Sequence, residues 1–151
     1  MKNLGGIKVR GSVKAINTKT GEVVFENHNM FVQTGLNEIA KLVAGQNGAS
    51  IPAYIAVGTS STAPSLADTA LKGTELGRKA IASVEVTSAS IKYGVTFAAG
   101  EASGAWEETG IFSAASGGIM FSRAVTGTYT KGALDEIKIF WTYDFADNSA
   151  A

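Results

Sequence analysis

The sequence predicts a mainly β protein: an antiparallel, jelly-roll-like β-sandwich with one short α-helix. Three observations favour this class. Short segments with an apolar residue at every second position recur along the 151 residues. Eighteen glycines supply turn positions between these segments. Only one segment has the spacing of an amphipathic helix.

The first predicted element is a β-hairpin over residues 7–28. Apolar and polar residues alternate from residue 7 to residue 15, which is typical of a half-buried strand. Gly21 suits a left-handed turn position, and three apolar residues at 23–25 begin the returning strand. The outer face of the first strand is basic, through Lys8, Arg10 and Lys14. A solvated strand face explains this pattern, and contact with an acidic partner is the alternative.

One helix is predicted over residues 33–45. Its apolar residues follow i, i+3, i+4, i+7 spacing and predict a single buried stripe. That stripe consists of Leu36, Ile39, Ala40 and Val43. Thr34 is placed to accept from free amides of the first turn, and Gly45 suits the end of the helix.

The rest of the chain is predicted to be almost entirely β. A strand at residues 54–57 breaks at Gly58 and is followed by a small, polar loop. Later strands are predicted at residues 80–87, 90–98, 106–114, 119–125 and 137–145, with a long loop at 126–133. The last strand has the strongest alternation. Residues 1–146 are therefore expected to form a single β-sandwich domain and residues 147–151 a flexible C-terminal tail.

Strand parity predicts a structural ion-pair cluster. Glu108 shares parity with apolar residues of its strand, and Arg78 and Arg123 do so in theirs. Burying an unpaired charge destabilises a protein by several kcal/mol, roughly the cost of breaking a buried ion pair. We therefore expect these charges to be paired. We expect Glu108 to pair with Arg78 or Arg123, with Glu75 nearby. Arginine lowers a neighbouring carboxyl pKa, which suits neither a general acid nor a base at neutral pH.

Other chemistry is sparse in the sequence. There is no cysteine, His28 is the single histidine, and the acidic residues lack calcium-loop spacing. We therefore expect no catalytic, cofactor-binding or metal-binding residues and no enzymatic activity. Thirteen basic residues balance thirteen acidic ones, which argues against nucleic-acid binding. No apolar run approaches the roughly 18 residues that span a bilayer, so no membrane partner is expected.

The aromatic residues leave one alternative open. A carbohydrate-binding module that recognises the host surface would expose two or more aromatic rings on one face. Trp106 and Trp141 are the residues that discriminate, since their solvent accessibility would favour this alternative. Their alternation with polar residues makes them core candidates first.

An ordered set of motifs resembles a family of small tailed-bacteriophage virion structural proteins. The matching segments are GLNEIAKLVAG, YIAVGTSSTAPSLADTAL, ELGR, EETGIFSA, GGIMFSR and IKIFWTYDF. The middle segments are also similar to the N-terminal attachment regions of phage tail-collar and baseplate fibres. There a VGxG-like turn, T-x-L, E-x-x-R and E-x-G-[IL]-F recur in this order. Residues 58–60, Gly-Thr-Ser, lack the second glycine of that turn.

The resemblance implies a non-enzymatic virion protein present in multiple copies, either decorating the capsid or serving as a neck or tail accessory subunit. We expect no fibre shaft or receptor-binding tip, which favours an accessory role. Expected partners are other virion proteins and further copies of the chain. Residues 8–14, 58–66 and 126–133 are the candidate contact surfaces. The foremost of these is the subunit-contact loop Gly58, Thr59, Ser60, Ser61, Thr62, Ala63 and Pro64.

Overall fold

The computed structural model describes residues 6–147, and within them the protein is mainly β with one short helix. The elements in chain order are β1 (Ile7–Asn17), β2 (Val23–Phe31), α1 (Gln33–Val43), β3 (Tyr54–Gly58), β4 (Glu75–Ala80), β5 (Ser83–Thr87), β6 (Ser90–Phe97), β7 (Gly104–Phe112), β8 (Met120–Lys131) and β9 (Ile137–Asp147). The expected C-terminal tail lies outside the described residues, except that Asp147 is the last residue of β9.

These strands form one antiparallel sheet in the order β4-β3-β7-β8-β2-β1-β9-β6-β5, curled into a half-barrel. β2 is the middle strand of this order. This strand pairs with β1 from Asn29 to Val23, but with β8 only through Met30 and Phe31. The short junction lets the half containing β3, β7 and β8 turn towards the half containing β1, β9 and β6. A jelly-roll sandwich remains a prediction.

The main core fills the inside of the curl. Along β9, Ile137, Ile139 and Trp141 are fully buried, which confirms the alternation predicted for this strand. The rings of Phe97 and Trp106, from opposite halves, lie 5.6 Å apart in an edge-to-face arrangement. One contiguous apolar core therefore joins the two halves.

The helix is present, but most of its predicted buried stripe is wrong: Ile39 is half-buried against the main core, whereas Leu36, Ala40 and Val43 are exposed. Leu36 is 37% exposed and Val43 is 83% exposed, whereas Gly35 and Glu38 are buried. The helix is therefore rotated about its axis relative to the prediction. Gly35 explains this rotation, since a Cβ there would lie 2.2 Å from the backbone oxygen of Phe121. The absence of a side chain lets the helix approach β8 along this edge.

The helix begins at Gln33 as predicted, but its N-terminal cap differs from the prediction. Val32, with no side-chain cap, precedes the first helical residue. The hydroxyl of Thr34 instead donates to the carbonyl of Met120 at 2.8 Å, across to β8. Thr34 therefore bonds to a strand that is distant in sequence, and not to the first turn of the helix as the local pattern had predicted.

Two strand boundaries also differ from the prediction. The segment expected as one strand over 80–87 is divided at residues 81–82, and residues 75–80 form the unpredicted strand β4 on β3. The predicted loop 126–133 is strand as far as Lys131, because residues 129–131 pair with residues 104–106. The pairing partner, rather than local glycine content, decided this boundary. Gly127, with φ of 67°, lies where the register shifts.

Candidate functional site

A loop over residues 59–74, here called the clamped loop, covers the outer face of β3, β7 and β8. Its Leu71 packs with a second apolar cluster that includes Ala56, Phe112 and Met120. A Cβ at Gly110 would lie 3.1 Å from the Leu71 side chain, so this glycine makes room for the loop. The loop therefore forms a second layer outside the sheet, with its own small core.

Glu108 on β7 is the centre of this layer and is fully buried. Its carboxylate accepts backbone N–H bonds from Ser60 at 3.2 Å, Lys72 at 2.9 Å and Gly73 at 2.7 Å. One side chain thereby satisfies backbone donors at both ends of the loop. Unmet, each donor would cost about 1–3 kcal/mol.

Arg123 on β8 neutralises this carboxylate. Its Nε donates to Glu108 Oε2 at 2.8 Å, and its Nη2 lies 2.7 Å from the same oxygen. Arg123 is also fully buried. Of the two arginines considered for Glu108, the structure places Arg123 against it. The pair is charge-assisted and removed from water, so both members depend on each other.

Asp68 is the third buried charge of the site, and sequence reasoning missed it. It is 1% exposed, lies 3.4 Å from Arg123 Nη1, and lies 3.1 Å from Lys72 Nζ. Its Oδ2 also accepts the backbone N–H of Ser65 at 3.0 Å. The spacing of a serine three residues before and a lysine four residues after an aspartate was the available signal.

The environment of Asp68 keeps it ionised. Burial raises the pKa of its carboxyl, but the Ser65 amide and the cations Lys72 and Arg123 together outweigh burial and lower the pKa. An aspartate that is ionised near neutral pH suits a structural bridge between the loop and β8.

The predicted orientation of Glu108 towards the main core is wrong, although its burial was expected. A β-bulge between Trp106 and Glu108 shifts the register, so the two side chains lie on opposite faces of the sheet. Glu108 Oε1 lies 2.7 Å from the point where a Cβ on Gly58 would be. This point is on the face that the loop covers. Period-2 parity restarts at each bulge and cannot be carried across it.

The four charged residues expected in one cluster form two separate groups. Arg78 pairs with Glu75, with Nη2 2.8 Å from Oε1. The Arg78 guanidinium also donates to the carbonyls of Ala114 and Gly117, and it lies 3.8 Å above the Phe112 ring. This second group fixes β4 to the turn between β7 and β8. The inward orientation of Arg78 was predicted because it shares parity with Val84 and Val86. Those residues lie on β5 and Arg78 lies on β4, so the parity does not carry over.

The tip of the clamped loop is exposed, polar and small. Ser61, Thr62 and Ala63 are exposed, whereas Ser60 and Pro64 are half-buried. The Ser60 hydroxyl accepts the Thr62 amide at 3.2 Å, so the tip is ordered by its own side chains. Of the seven predicted contact residues, Gly58 is buried at the end of β3, and Thr59 accepts the amide of Thr74 through its hydroxyl at 2.9 Å.

The polar groups of this site are used in contacts within the protein. The carboxylate of Glu108 is already occupied by three amides and a guanidinium. Within residues 6–147, no group of three or more His, Asp or Glu side chains is arranged to hold a metal ion. In the same range, no helix is long and apolar enough to cross a membrane. His28, the remaining candidate, lies exposed on the outer face of β2.

Both tryptophans are fully buried. The exposed pair of rings that would favour a carbohydrate-binding face is therefore not formed by Trp106 and Trp141. Trp106 Nε1 donates to the Ala102 carbonyl and Trp141 Nε1 donates to the Ser122 hydroxyl, so both rings are internal hydrogen-bonding core residues.

Comparisons with known proteins give no relative for this chain. No family model, no curated protein sequence and no solved structure matches it.

Proposed function

We propose that this chain is a non-enzymatic structural protein of a tailed-bacteriophage virion, present in multiple copies as a capsid-decorating or neck or tail accessory subunit. Its partners would be neighbouring virion proteins and copies of itself. It would contact them through the tip of the clamped loop.

One observation carries the proposal. The residues of the phage-like motifs lie far apart in sequence, yet they meet around one loop. Glu108 and Gly110 on β7 and Arg123 on β8 hold or accommodate residues 59–74. Glu75 and Arg78 brace β4, which follows the loop. A rigid loop with a small exposed tip loses little conformational entropy on docking, which favours repeated, modest contacts on a lattice.

The first test is mass spectrometry of purified particles of the phage or prophage that encodes the chain. We expect the protein in stoichiometric amounts, since a decorating or accessory subunit occupies every equivalent site. Absence from washed particles would end the proposal.

A second test addresses the docking surface. Purified protein is added to particles from a strain lacking its gene, and bound protein is measured after sedimentation. Ser61→Lys and Ala63→Lys should abolish binding, because each places a long cation on the tip. Asn47→Lys, on an exposed loop after α1, is the matched control and should bind normally. Equal binding by all three variants would place the contact elsewhere.

The finer fold description belongs with this proposal. We infer that the two halves of the curled sheet act as the two layers of a β-sandwich. Support comes from contacts across the main core, such as the Trp141–Ser122 hydrogen bond of 3.1 Å between β9 and β8. A crystal structure in which the halves separate without a shared core would contradict this description.

A further inference from the structure

The outer face of the second half of the sheet has a different character from the site above. Its strands β1, β9 and β6 are uncovered within the described residues and carry five cations. These are Lys8, Arg10, Lys14, Lys92 and Lys138. None of the five lies within ion-pair distance of a carboxylate in residues 6–147. The five cations outnumber the carboxylates across from them, Glu26, Glu85 and Asp144, so the face has a surplus of positive charge.

Phe140 lies at the centre of this face. Its ring is only half-buried although it occupies the middle of a long strand. Lys14 is its cross-strand neighbour on β1, and Gly94 is its neighbour on β6. Gly94 has no side chain, and the Ser83 hydroxyl and the Lys138 side chain lie beside it. A depression of about 270 Å³ surrounds the Phe140 ring, lined also by Ser12 and Thr142.

The ammonium groups of two lysines lie close to this ring. Lys138 Nζ lies 5.0 Å and Lys92 Nζ 5.6 Å from the ring centroid, within cation–π range. Lys92 has Glu85 directly opposite on β5, yet it forms no ion pair with it. The ammonium groups therefore converge on the aromatic surface and leave their remaining donors free for a ligand.

We propose that this face is a second interaction surface, which binds an acidic protein segment carrying an apolar or aromatic side chain. Lys14, Lys92 and Lys138 would bind its carboxylates, and Phe140 would contact the apolar group. Charge complementarity is the basis for this choice of occupant. The inference does not depend on the virion proposal.

The distribution of acids favours protein over nucleic acid. Glu26, Glu85 and Asp144 lie directly across from Lys14, Lys92 and Arg10 on neighbouring strands. A continuous phosphate backbone would meet these carboxylates, whereas a protein segment can place its own charges between them. Binding of single-stranded nucleic acid also uses a series of stacking aromatics, and here the central lysines surround one ring.

The test uses the full-length chain and fluorescently labelled polymers, with binding followed by anisotropy at low and high salt. The probes are a random copolymer of glutamate and tyrosine, polyglutamate, oligo-dT and vesicles of anionic phospholipid. We expect salt-sensitive binding of the copolymer, weaker binding of polyglutamate and no comparable binding of the other two. Preferential binding of oligo-dT or equal binding of vesicles would overturn the proposal, as would failure of the copolymer to bind at low salt.

Variants locate the surface. The triple variant Lys14→Gln, Lys92→Gln, Lys138→Gln should bind the copolymer about tenfold or more weakly, as expected for losing three exposed charge contacts. The matched control Lys19→Gln, Lys41→Gln, Lys79→Gln removes the same charge from elsewhere and should stay within about twofold. Equal loss in both triples would show a non-specific charge effect and reject the site.

Phe140→Ser separates the aromatic contribution from charge. It should weaken copolymer binding about threefold and leave polyglutamate binding unchanged. Thermal melting of each variant by circular dichroism identifies any that unfold, and Phe140→Leu then replaces Phe140→Ser. If the copolymer binds both Phe140 variants as tightly as the parent, the ring is not part of the surface.

Discussion

Charged residues are covered and paired on one outer surface of the curled sheet, and they are uncovered on the other. On β7 and β8, Glu108 and Arg123 are covered by the clamped loop and form an ion pair with each other. On β6 and β9, Lys92 and Lys138 lie open around Phe140, with no ion-pair partner in the described part of the chain. Both surfaces are strands of one sheet, so strand geometry does not explain the contrast.

The difference arises from the covering layer. Once residues 59–74 exclude water from β7 and β8, each charge there must be compensated or the fold loses several kcal/mol, about the cost of a broken buried pair. Where solvent reaches the strand face, the same kind of residue contributes little to stability. Covered charges thus hold the fold, and uncovered charges are available to a partner. The following predictions test this contrast, from the largest effect to the smallest.

Arg123→Met should have the largest effect. It leaves Glu108 and Asp68 buried without their shared cation, which is expected to lower the free energy of unfolding by about 3–5 kcal/mol. Urea denaturation measures it. Lys92→Met, the counterpart on the uncovered face, should change stability by no more than about 0.5 kcal/mol. A similar decrease in the free energy of unfolding in the two variants would contradict the proposed difference between the two surfaces.

Gly58→Ala should come next. A Cβ there would lie 2.7 Å from Glu108 Oε1 and 3.1 Å from the Thr74 carbonyl, so the carboxylate and the loop must move. We expect a loss of about 1–3 kcal/mol, typical of overpacking. Limited proteolysis should show faster cleavage within residues 59–74. An unchanged cleavage rate would mean that Glu108 does not set the loop position.

Acid should weaken the clamped loop through Asp68. Its pKa is lowered on folding, so its stabilising contribution is complete above the pKa of an unfolded aspartate, about 3.9, and is lost as pH falls through the folded pKa. Asp68→Asn should therefore be less stable than the parent at pH near 6, and the gap should narrow towards pH near 2.

Chemical denaturation across that pH range measures the gap. Glu38 and Glu101 also have lowered pKa values, Glu38 first through the Ser50 amide and Glu101 first through Lys79, so both proteins lose some stability in acid. The difference between the two proteins isolates Asp68. A gap that is constant with pH would contradict its role as an ionised bridge.

Lys138→Gln should have the smallest effect on the fold. The lysine is partly exposed and its ammonium group lies 5.0 Å from the centroid of the Phe140 ring, so stability should change by less than about 1 kcal/mol, the limit for an exposed cation–π contact. Thermal melting by circular dichroism measures this. A loss as large as that of Gly58→Ala would indicate that the uncovered face also supports the fold.

Much of the fold followed from local pattern. The alternation along β9 predicted which residues are buried, because side chains of a strand point to opposite faces at every second position. The same rule predicted burial of Glu108 and Arg123, but their burial arises from the loop that covers the outer face, because the bulge turns Glu108 away from the main core. The helix was predicted correctly in extent but not in rotation, since Gly35, rather than an apolar residue, makes the close contact.

The sequence by itself therefore determined the secondary-structure class, most strand positions and the presence of buried, paired charge. Only the tertiary structure decided that Arg123 rather than Arg78 meets Glu108, that Asp68 joins them, and that they lie outside the main core. Parity carries information over one uninterrupted strand and is lost at bulges and chain breaks. Which loop covers a sheet face depends on contacts between residues distant in sequence, and those contacts decide which charges hold the fold and which remain on the surface.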